Sequence, residues 1–517
     1  MKILLSSICL ESGTDIQLAL YYLKGYLLHK RFLRKPACNI QIKTFNEICG
    51  VSNIVRAILR QKPALVGFSC YLWNIEKTLR VCRELKENDP TLVVVLGGPE
   101  VSPRAEEILK KYRFIDIIVR GEGEETFAQC IDRIANKAGL SGVEGISFRQ
   151  QGPAARNSVR PQERVARNRG RPQERVISNP DRMQMKRLTG IPSPYLSGLL
   201  DPGGKDIVDV PLETTRGCSS RCGYCYYHKN FSRVRFFPLA RVENELKLIL
   251  SRKPREVYLM DATFNSHPAR AKKILKFFIK YNRGSCLHVE LKAEFVDEEM
   301  ARLLRAAQAF NIEIGIQSIH AKTLRAVNRR FNKKMFARGI RLLNKYGLFY
   351  EIQLIDALPF QSYVDLKRSL DWLYGLHPVK VAIFRLCLLP GTSLRLAARR
   401  FGIVYTAIAP YNAIRSNAMS AGEVLRIERL RDALGRLYDS QVFQNTLYAL
   451  EQKGRIRISD VFDGWISWFN SLPSHNRITP DGLNRMLPVF LRYVCRSHGI
   501  SCLYPELLPG LLKDLSV

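Results

Sequence analysis

The order of apolar segments along this 517-residue chain predicts an α/β fold in three parts. These are an N-terminal doubly wound parallel sheet (Rossmann-like), a partial (β/α)6 barrel of the TIM type, and a C-terminal helical domain. Two runs of alternating strand-like and helix-like segments, separated by an arginine-rich stretch, predict the first two parts. Purely helical spacing of apolar residues beyond residue 396 predicts the third. The corresponding boundaries are 1–149, a linker at 150–190, 191–395 and 396–517.

In the first part, strands are expected at Lys2–Ile8, Ala64–Ser69, Leu92–Leu96 and Ile115–Val119. Helices are expected at Ile16–Arg31, Ile75–Glu87 and Glu124–Ala138. The opening apolar run soon meets Glu11 and Asp15, so it reads as a strand and not a signal peptide. Parallel sheets bind ligands at the carboxyl ends of their strands. Three glycine-bearing loops fall there: Gly67-Phe68-Ser69-Cys70, Gly97-Gly98-Pro99-Glu100 and Gly121-Glu122-Gly123-Glu124. Glycine lets a ligand approach the backbone closely, and turn geometry alone is an equally good reason for it.

The stretch from about 150 to 187 breaks the alternation. Arg160-Pro161-Gln162-Glu163-Arg164-Val165 recurs as Arg171-Pro172-Gln173-Glu174-Arg175-Val176, and nine arginines fall between Arg156 and Arg187. Two copies are too few for a solenoid. High charge, prolines and few apolar residues predict a flexible insertion.

In the second part, strands are expected at Val208–Leu212, Glu256–Leu259, Leu287–Leu291, Ile312–Ile316, Tyr350–Ile355 and Val381–Leu388, with helices between, such as Ala240–Ser251 and Glu298–Ala309. Barrels of this type place their chemistry at the carboxyl ends of the strands. Asp261, Thr263 and Asn265 follow the second strand, Glu290 lies on the third, Gln317 and Ser318 follow the fourth, and Asp356 follows the fifth. Asp356 and Cys387 are expected to point into the barrel.

The loop after the first of these strands holds Cys218, Cys222 and Cys225, spaced C-x3-C-x2-C; the next cysteine is Cys286. Three thiolates hold three irons of a [4Fe–4S] cube and leave the fourth open to a substrate. A structural zinc site is the alternative, with His228 as its fourth ligand.

With Tyr224 as the aromatic residue before the last cysteine, this segment resembles the radical S-adenosylmethionine superfamily. The resemblance implies that Cys218, Cys222 and Cys225 ligate the cluster and that the open iron takes the amino and carboxylate groups of S-adenosylmethionine. One-electron cleavage then gives a 5′-deoxyadenosyl radical. Glu290, Gln317 and Arg329 resemble a set in which Glu and Gln hold the ribose hydroxyls and Arg pairs with the methionine carboxylate. Glu294 is a rival for Glu290, and a solvated helix-end cation is the other reading of Arg329, beside Arg330. Met260-Asp261-Ala262-Thr263 stands where relatives carry a Gly-rich edge for the methionine amino group. Asp261 and Ser318 are therefore included among the cofactor-binding residues. Leu354-Ile355-Asp356-Ala357-Leu358-Pro359 resembles the family's Gly-Leu-Pro strand end, with Ala357 in place of glycine, and Leu389-Pro390-Gly391-Thr392 closes the barrel as relatives do.

The three N-terminal loops resemble the cobalamin-binding domain found before many such barrels. This implies that Ser69, Gly97, Gly98 and Gly121 line the pocket for the nucleotide tail of cobalamin. The chain lacks an Asp-x-His-x-x-Gly segment, and His29, the domain's only histidine, lies in a helical stretch. Cobalamin is thus expected base-off, with no protein histidine on cobalt.

Composition bounds the remaining choices. The formal charge of +34 allows contact with nucleic acid or an anionic surface, but it is spread along helices, as at Lys272, Lys273, Lys276 and Lys280. Thirteen cysteines, mostly in apolar contexts, suit a reducing cytoplasm and not a disulfide framework. No run of eighteen apolar residues exists, so no membrane span is expected. The resemblance implies a cobalamin-dependent enzyme that methylates an unactivated carbon of an unknown substrate, with an electron donor such as a flavodoxin or ferredoxin. Ring closure or oxygen insertion on the same cofactors is one alternative; a basic nucleic-acid-binding protein with a structural cluster is another. In the tail, helices are expected at Ala421–Asp439, Val442–Lys453 and Leu487–Ser497. Trp465, Trp468 and Phe469 are read as core, and the tail as a cap on the barrel.

Overall fold

The computed structural model describes residues 1–10, 16–29, 38–150, 175–203, 209–230, 233–472 and 480–515. Among these, seven strands form the first sheet: β1 (Lys2–Cys9), β2 (Asn39–Asn46), β3 (Leu65–Ser69), β4 (Val93–Gly97), β5 (Ile117–Val119), β6 (Ile146–Gln150) and β7 (Arg175–Ser178). Their order is β2-β1-β3-β4-β5-β6-β7. The first five run parallel, the four expected strands joined by β2, which was not expected, and β6 and β7 add an antiparallel edge, with Ile117 opposite Phe148 and Ser147 opposite Ser178. Alternate side chains fill opposite layers. Leu4, Val66, Val94 and Ile118 pack with the helices of one face, and Ile3, Leu5, Leu65, Val95 and Ile117 with those of the other.

The first copy of the hexapeptide repeat, and residues 171–174 of the second, lie outside the described residues. The rest of the second copy is strand. Val176 packs on one core and Ile177 on the other. Asn179 then donates to the carbonyls of Leu140 (2.8 Å) and Val143 (2.7 Å). Residues 175–179 therefore belong to the first sheet, and its unit does not end at 149. Two apolar residues among arginines were too short a signal to show this.

The second sheet contains β8 (Asp209–Leu212), β11 (Glu256–Leu259), β12 (Cys286–Glu290), β13 (Asn311–Gln317), β14 (Tyr350–Ile355) and β15 (Lys380–Phe384). A two-residue antiparallel ladder, β9 (Thr215–Arg216) against β10 (Arg235–Phe236), branches off after β8. The order β15-β14-β13-β12-β11-β8 is wholly parallel, which makes the open partial barrel expected. On one face Val257, Val289, Ile314, Ile352 and Val381 are buried under the helices. The other face carries Tyr258, His288, Glu290, Glu313, Glu351, Gln353 and Lys380, so the barrel has a polar interior.

His288 sits in the middle of that interior. Its Nδ1 lies 3.2 Å from Glu256 and its Nε2 2.9 Å from Glu313, with the Tyr258 ring stacked on it at 4.1 Å. Burial pulls its pKa down, but the hydrogen bonds to the two carboxylates outweigh this and raise it to about 9. A raised folded pKa stabilises the fold fully below the unfolded value of about 6.5 and loses that contribution as pH rises through about 9. Denaturant unfolding of wild type is therefore expected to lose about 3 kcal/mol between pH 6 and pH 10 that His288→Gln does not lose. Parallel pH profiles for the two proteins would rule this out.

The tail is helix-rich, with helices at Ala421–Leu434, Gln444–Gly454, Ile458–Asn470, Pro480–Ser497 and Tyr504–Leu515, but it opens on an antiparallel strand pair, Val404–Tyr405 with Ala413–Arg415, that the helical spacing did not predict. Trp465 is buried at 1% exposure against Trp468, Phe469 and Phe490. Among the described residues the tail's contacts lie along the side of the barrel. Arg431 donates to the Ile383 carbonyl (2.6 Å), Lys367 pairs with Asp460 and Asp463, and Ser459 binds Asp371. These contacts cover the β15 edge and the neighbouring helix Tyr363–Tyr374, shielding an unpaired strand edge. Asp356 belongs to this seam and not to the barrel interior. It is fully buried, with Arg385 Nε at 2.9 Å and Arg431 on the same oxygen. Cys387 likewise bridges to Asn412.

Candidate active site

The cysteine loop is closed at its base by the β9–β10 ladder. Gly217 has φ +105°, and a Cβ there would stand 2.3 Å from the Arg233 carbonyl oxygen, so only glycine lets the two arms close. The loop is then pinned to the barrel. Gly223 donates from its N–H to Val327 (2.7 Å) and accepts from Leu394 (2.9 Å), and Asn328 donates to the Arg221 carbonyl (2.9 Å). Lys292 donates to the Ser220 hydroxyl (2.8 Å).

Within this frame Cys222 is buried and Cys218 and Cys225 are half-buried. The thiols are electrostatic neighbours: burial pushes Cys225 up to about 11, with Cys222, Cys218 and Glu290 adding to the rise. Backbone N–H groups of Ser220 and Tyr227 point at Cys218 and Cys225, each at 3.4 Å, as donors to thiolates would. Among the described residues no three His, Cys, Asp or Glu side chains gather as ligands of one ion. Three thiols on three different irons need no such convergence.

Arg329 reaches this loop from beyond β13. It donates to Cys222 Sγ (3.5 Å), to the Tyr224 hydroxyl (3.3 Å) and to the Gly315 carbonyl. Its Nε is buried without a partner, and among the described residues no carboxylate lies within salt-bridge distance of it. A shielded guanidinium in that condition favours an anion. Beside it, Gln317 stands at φ +71° after a register shift in β13, with its Oε1 buried and unpartnered. A strained non-glycine residue with an orphaned acceptor is the kind of strain found at ligand sites. Glu290 faces the same space and accepts from the Tyr258 hydroxyl (2.9 Å); burial and Glu313 raise its pKa. Glu294 adds to the field at Arg329.

Two expected ligand residues are occupied elsewhere. Asp261 is 1% exposed and accepts from Thr214 N and Thr215 N, both at 2.8 Å, and from the Thr214 hydroxyl. Burial raises its pKa to about 6 against those bonds. Asp261 thus ties β11 to the strand leading into the cysteines and offers nothing to a ligand. Ser318 is fully buried, and its hydroxyl accepts from His320 N within its own turn. Thr263, 3.8 Å from Cys218 Sγ, is the residue of that edge that touches the cysteine loop.

The glycine loops of the first sheet face this mouth. Gly98 has φ +109° and a Cβ there would meet the Cys70 carbonyl oxygen at 2.5 Å. Gly98 is therefore glycine for the protein's own packing. A Cβ on Gly121, at φ +67°, would meet nothing within 4 Å, so the space over it is open, while its N–H donates to the Ser102 hydroxyl (3.3 Å). A Cβ on Gly97 would stand 3.6 Å from the Val119 carbonyl oxygen, an ordinary contact, and the Ser69 carbonyl accepts from Asn74 (3.1 Å), which joins the ends of β1 and β3. Gly98→Ala is expected to cost about 2–3 kcal/mol and Gly121→Ala about 1 kcal/mol by denaturant unfolding. Equal costs would contradict the different surroundings of the two glycines. Asn74, Tyr258 and the carboxylates Glu100, Glu122 and Glu124 were not foreseen as site residues; standing next to the glycines was the only signal the last three gave.

Both glycine loops dock on the barrel. Pro103 and Tyr226 crowd the position a Cβ on Gly391 would take, at 2.7 and 2.6 Å. Arg216, two residues before Cys218, pairs with Glu122 (3.1 Å) and Glu124 (2.9 Å). Residues 17–131 match the B12 binding domain family and residues 212–373 the Radical SAM superfamily. The chain thus joins a B12 binding domain to a Radical SAM domain. Residues 399–491 match a protein family of unknown function, DUF4080. The chain is similar to the 2-(S-pantetheinyl)-carbapenam-3-carboxylate methyltransferase of Streptantibioticus cattleyicolor, 30% identical over 214 residues. It is also similar to the cobalamin-dependent radical SAM methyltransferase TokK of Streptomyces tokunonensis, 27% identical over 215 residues. Each match covers 40% of this chain and 28% of the relative, so the chain spans under a third of either. Its fold is that of the cobalamin-dependent S-adenosylmethionine radical enzyme OxsB, solved with aqua-cobalamin and S-adenosylmethionine bound. The TM-score is 0.65 at 16% identity, covering 100% of this chain and 80% of that one.

The cofactors of these two domains are a [4Fe–4S] cluster, S-adenosylmethionine and cobalamin, the groups that solved structures of this fold hold. The donor set fits them: three neighbouring thiols, a buried guanidinium that has no carboxylate partner among the described residues, an orphaned amide oxygen for a hydroxyl, and uncrowded space over Gly121 just beyond β5. Among the described residues no helix is long and apolar enough to cross a membrane.

Proposed function

We propose that this chain methylates an unactivated carbon of its substrate. The observation that carries the reading is the docking of the Gly97-Gly98 and Gly121 loops on the barrel mouth beside the cysteine loop, which sets both candidate cofactor cradles around one space. The similarity to two methyltransferases favours methyl transfer over ring closure or oxygen insertion. The bound cofactors together supply hydrogen abstraction from carbon and a methyl group to replace the hydrogen.

In this reading Cys218, Cys222 and Cys225 hold the cluster. Arg329, steadied by Gly315 and Tyr224, takes the methionine carboxylate. Gln317 and Glu290 take the ribose hydroxyls, with Tyr258 fixing the Glu290 carboxylate. Ser69, Gly97 and Gly121 line the cobalamin tail pocket, and Gly98 shapes it. Asp261 positions the cysteine loop through Thr214 and Thr215. Electrons come from a flavodoxin- or ferredoxin-type donor in a reducing cytoplasm.

The test is anaerobic turnover of the cofactor-loaded chain with methyl-deuterated S-adenosylmethionine and a metabolite extract. Methyl transfer requires 5′-deoxyadenosine and S-adenosylhomocysteine in about equal amounts, with deuterated methyl in a product. Deoxyadenosine with no S-adenosylhomocysteine would replace methylation with ring closure or oxygen insertion.

A further inference from the structure

The residues between the two cradles form a buried charge cluster. Arg216 binds Glu213 through two nitrogens (3.0 and 2.9 Å), and its third nitrogen reaches Glu122 and Glu124. Arg235, on the opposite arm of the cysteine ladder, holds both oxygens of Glu122 (2.8 and 2.9 Å) and the Met185 carbonyl. All five side chains are at most 13% exposed. Tyr22 stands 5.6 Å over the Arg216 guanidinium and stacks on Phe237.

Such a cluster is a costly way to join two domains. Desolvation of five charges offsets most of their attraction, and apolar packing would hold the seam as well. What the charges add is geometry, because forked guanidinium–carboxylate pairs tolerate one arrangement. The chain path is short. Glu122 follows Gly121, at which a Cβ would meet nothing within 4 Å, and Arg216 precedes Cys218 by two residues. The other glycine loop has a similar latch: Glu100, 3% exposed, meets Arg104 and the hydroxyl of Tyr411, which lies beyond the barrel.

We propose that Glu122 and Glu124, through Arg216 and Arg235, are positioning residues that couple occupation of the cobalamin cradle to the geometry of the cysteine loop. The proposal rests on the cofactor assignment given above. A ligand held against Gly121 would restrict Glu122, and through Arg216 and Arg235 that carboxylate would hold both arms of the ladder that carries Cys218, Cys222 and Cys225. Each cofactor would then strengthen binding of the other by the same factor.

The test uses full-length, cluster-reconstituted protein and anaerobic equilibrium dialysis of labelled S-adenosylmethionine, with and without prior loading of hydroxocobalamin. Iron and cobalamin are counted first. Wild type is expected to bind S-adenosylmethionine about tenfold more tightly when cobalamin-loaded. In Glu124→Gln that ratio falls to about one while iron and cobalamin stay at wild-type content. This variant is expected to fold, because three carboxylates facing two guanidiniums become two facing two. Glu122→Gln and Arg216→Lys provide independent checks; the latter keeps the charge but not the fork. A lowered melting temperature with an unchanged ratio marks a structural seam only and overturns the proposal, as does a wild-type ratio of one. Wild type that retains iron but no cobalamin overturns the cofactor assignment and the proposal with it.

Discussion

Cys222→Ala is expected to lower bound iron from about four per chain to less than one and 5′-deoxyadenosine formation by at least about a hundredfold. Cys222 is the most buried of the three cysteines, at 4% exposure, and receives a hydrogen bond from Arg329. No other thiol lies in the loop to replace it, since the next cysteine, Cys286, begins β12. The substitution removes one sulfur from a loop held by backbone bonds at Gly223 and Cys225, so the fold should survive. Cys286→Ala is the control: it changes the same atom type on a neighbouring strand and should leave iron and turnover intact. Iron lost equally from both variants would mean that the cluster is not held by this loop.

Arg329→Met is expected to act in opposite directions on binding and stability. Loss of a charge-assisted pair with the methionine carboxylate should weaken S-adenosylmethionine about 10- to 100-fold, with iron retained. The cofactor-free protein should be no less stable, and more stable by about 1 kcal/mol or more. The removed guanidinium has an unpartnered buried Nε and no carboxylate partner among the described residues, and methionine fills much of its volume. A solvated helix-end cation, the other reading of this residue, predicts no change in either quantity. Anaerobic binding isotherms and denaturant unfolding of the same preparation separate the two.

The strands of the barrel were legible because each is buried on one face by β-branched and aliphatic residues and ends in a polar loop. β8 and β11 to β15 all fall within a few residues of their expected places. β2 was not legible. It is an edge strand, and Asn39-Ile40-Gln41-Ile42-Lys43-Thr44 carries only half-buried polar groups between its apolar ones. β7 was hidden by the charge around it. Within the site, the cysteines announced themselves by spacing, and Glu290 and Gln317 by position at strand ends. Asp261 looked the same in sequence, yet Thr214 and Thr215 occupy its oxygens, and such a partner choice depends on how β8 and β11 abut. The strained turn at Gln317 comes from a register shift against β14, which no local pattern encodes. Arg216 and Glu122 are ninety-four residues apart, and only the docking of the two sheets brings them together.

The most direct test is to reconstitute the chain anaerobically, add S-adenosylmethionine and dithionite with and without hydroxocobalamin, and quantify 5′-deoxyadenosine and bound cobalamin in the same sample. Deoxyadenosine that disappears in Cys222→Ala, together with one cobalamin per chain, is the predicted result. Deoxyadenosine from a chain that retains no cobalamin would contradict the joint use of the two cradles. Absence of both deoxyadenosine and bound cobalamin, with the cluster intact, would contradict the enzyme itself.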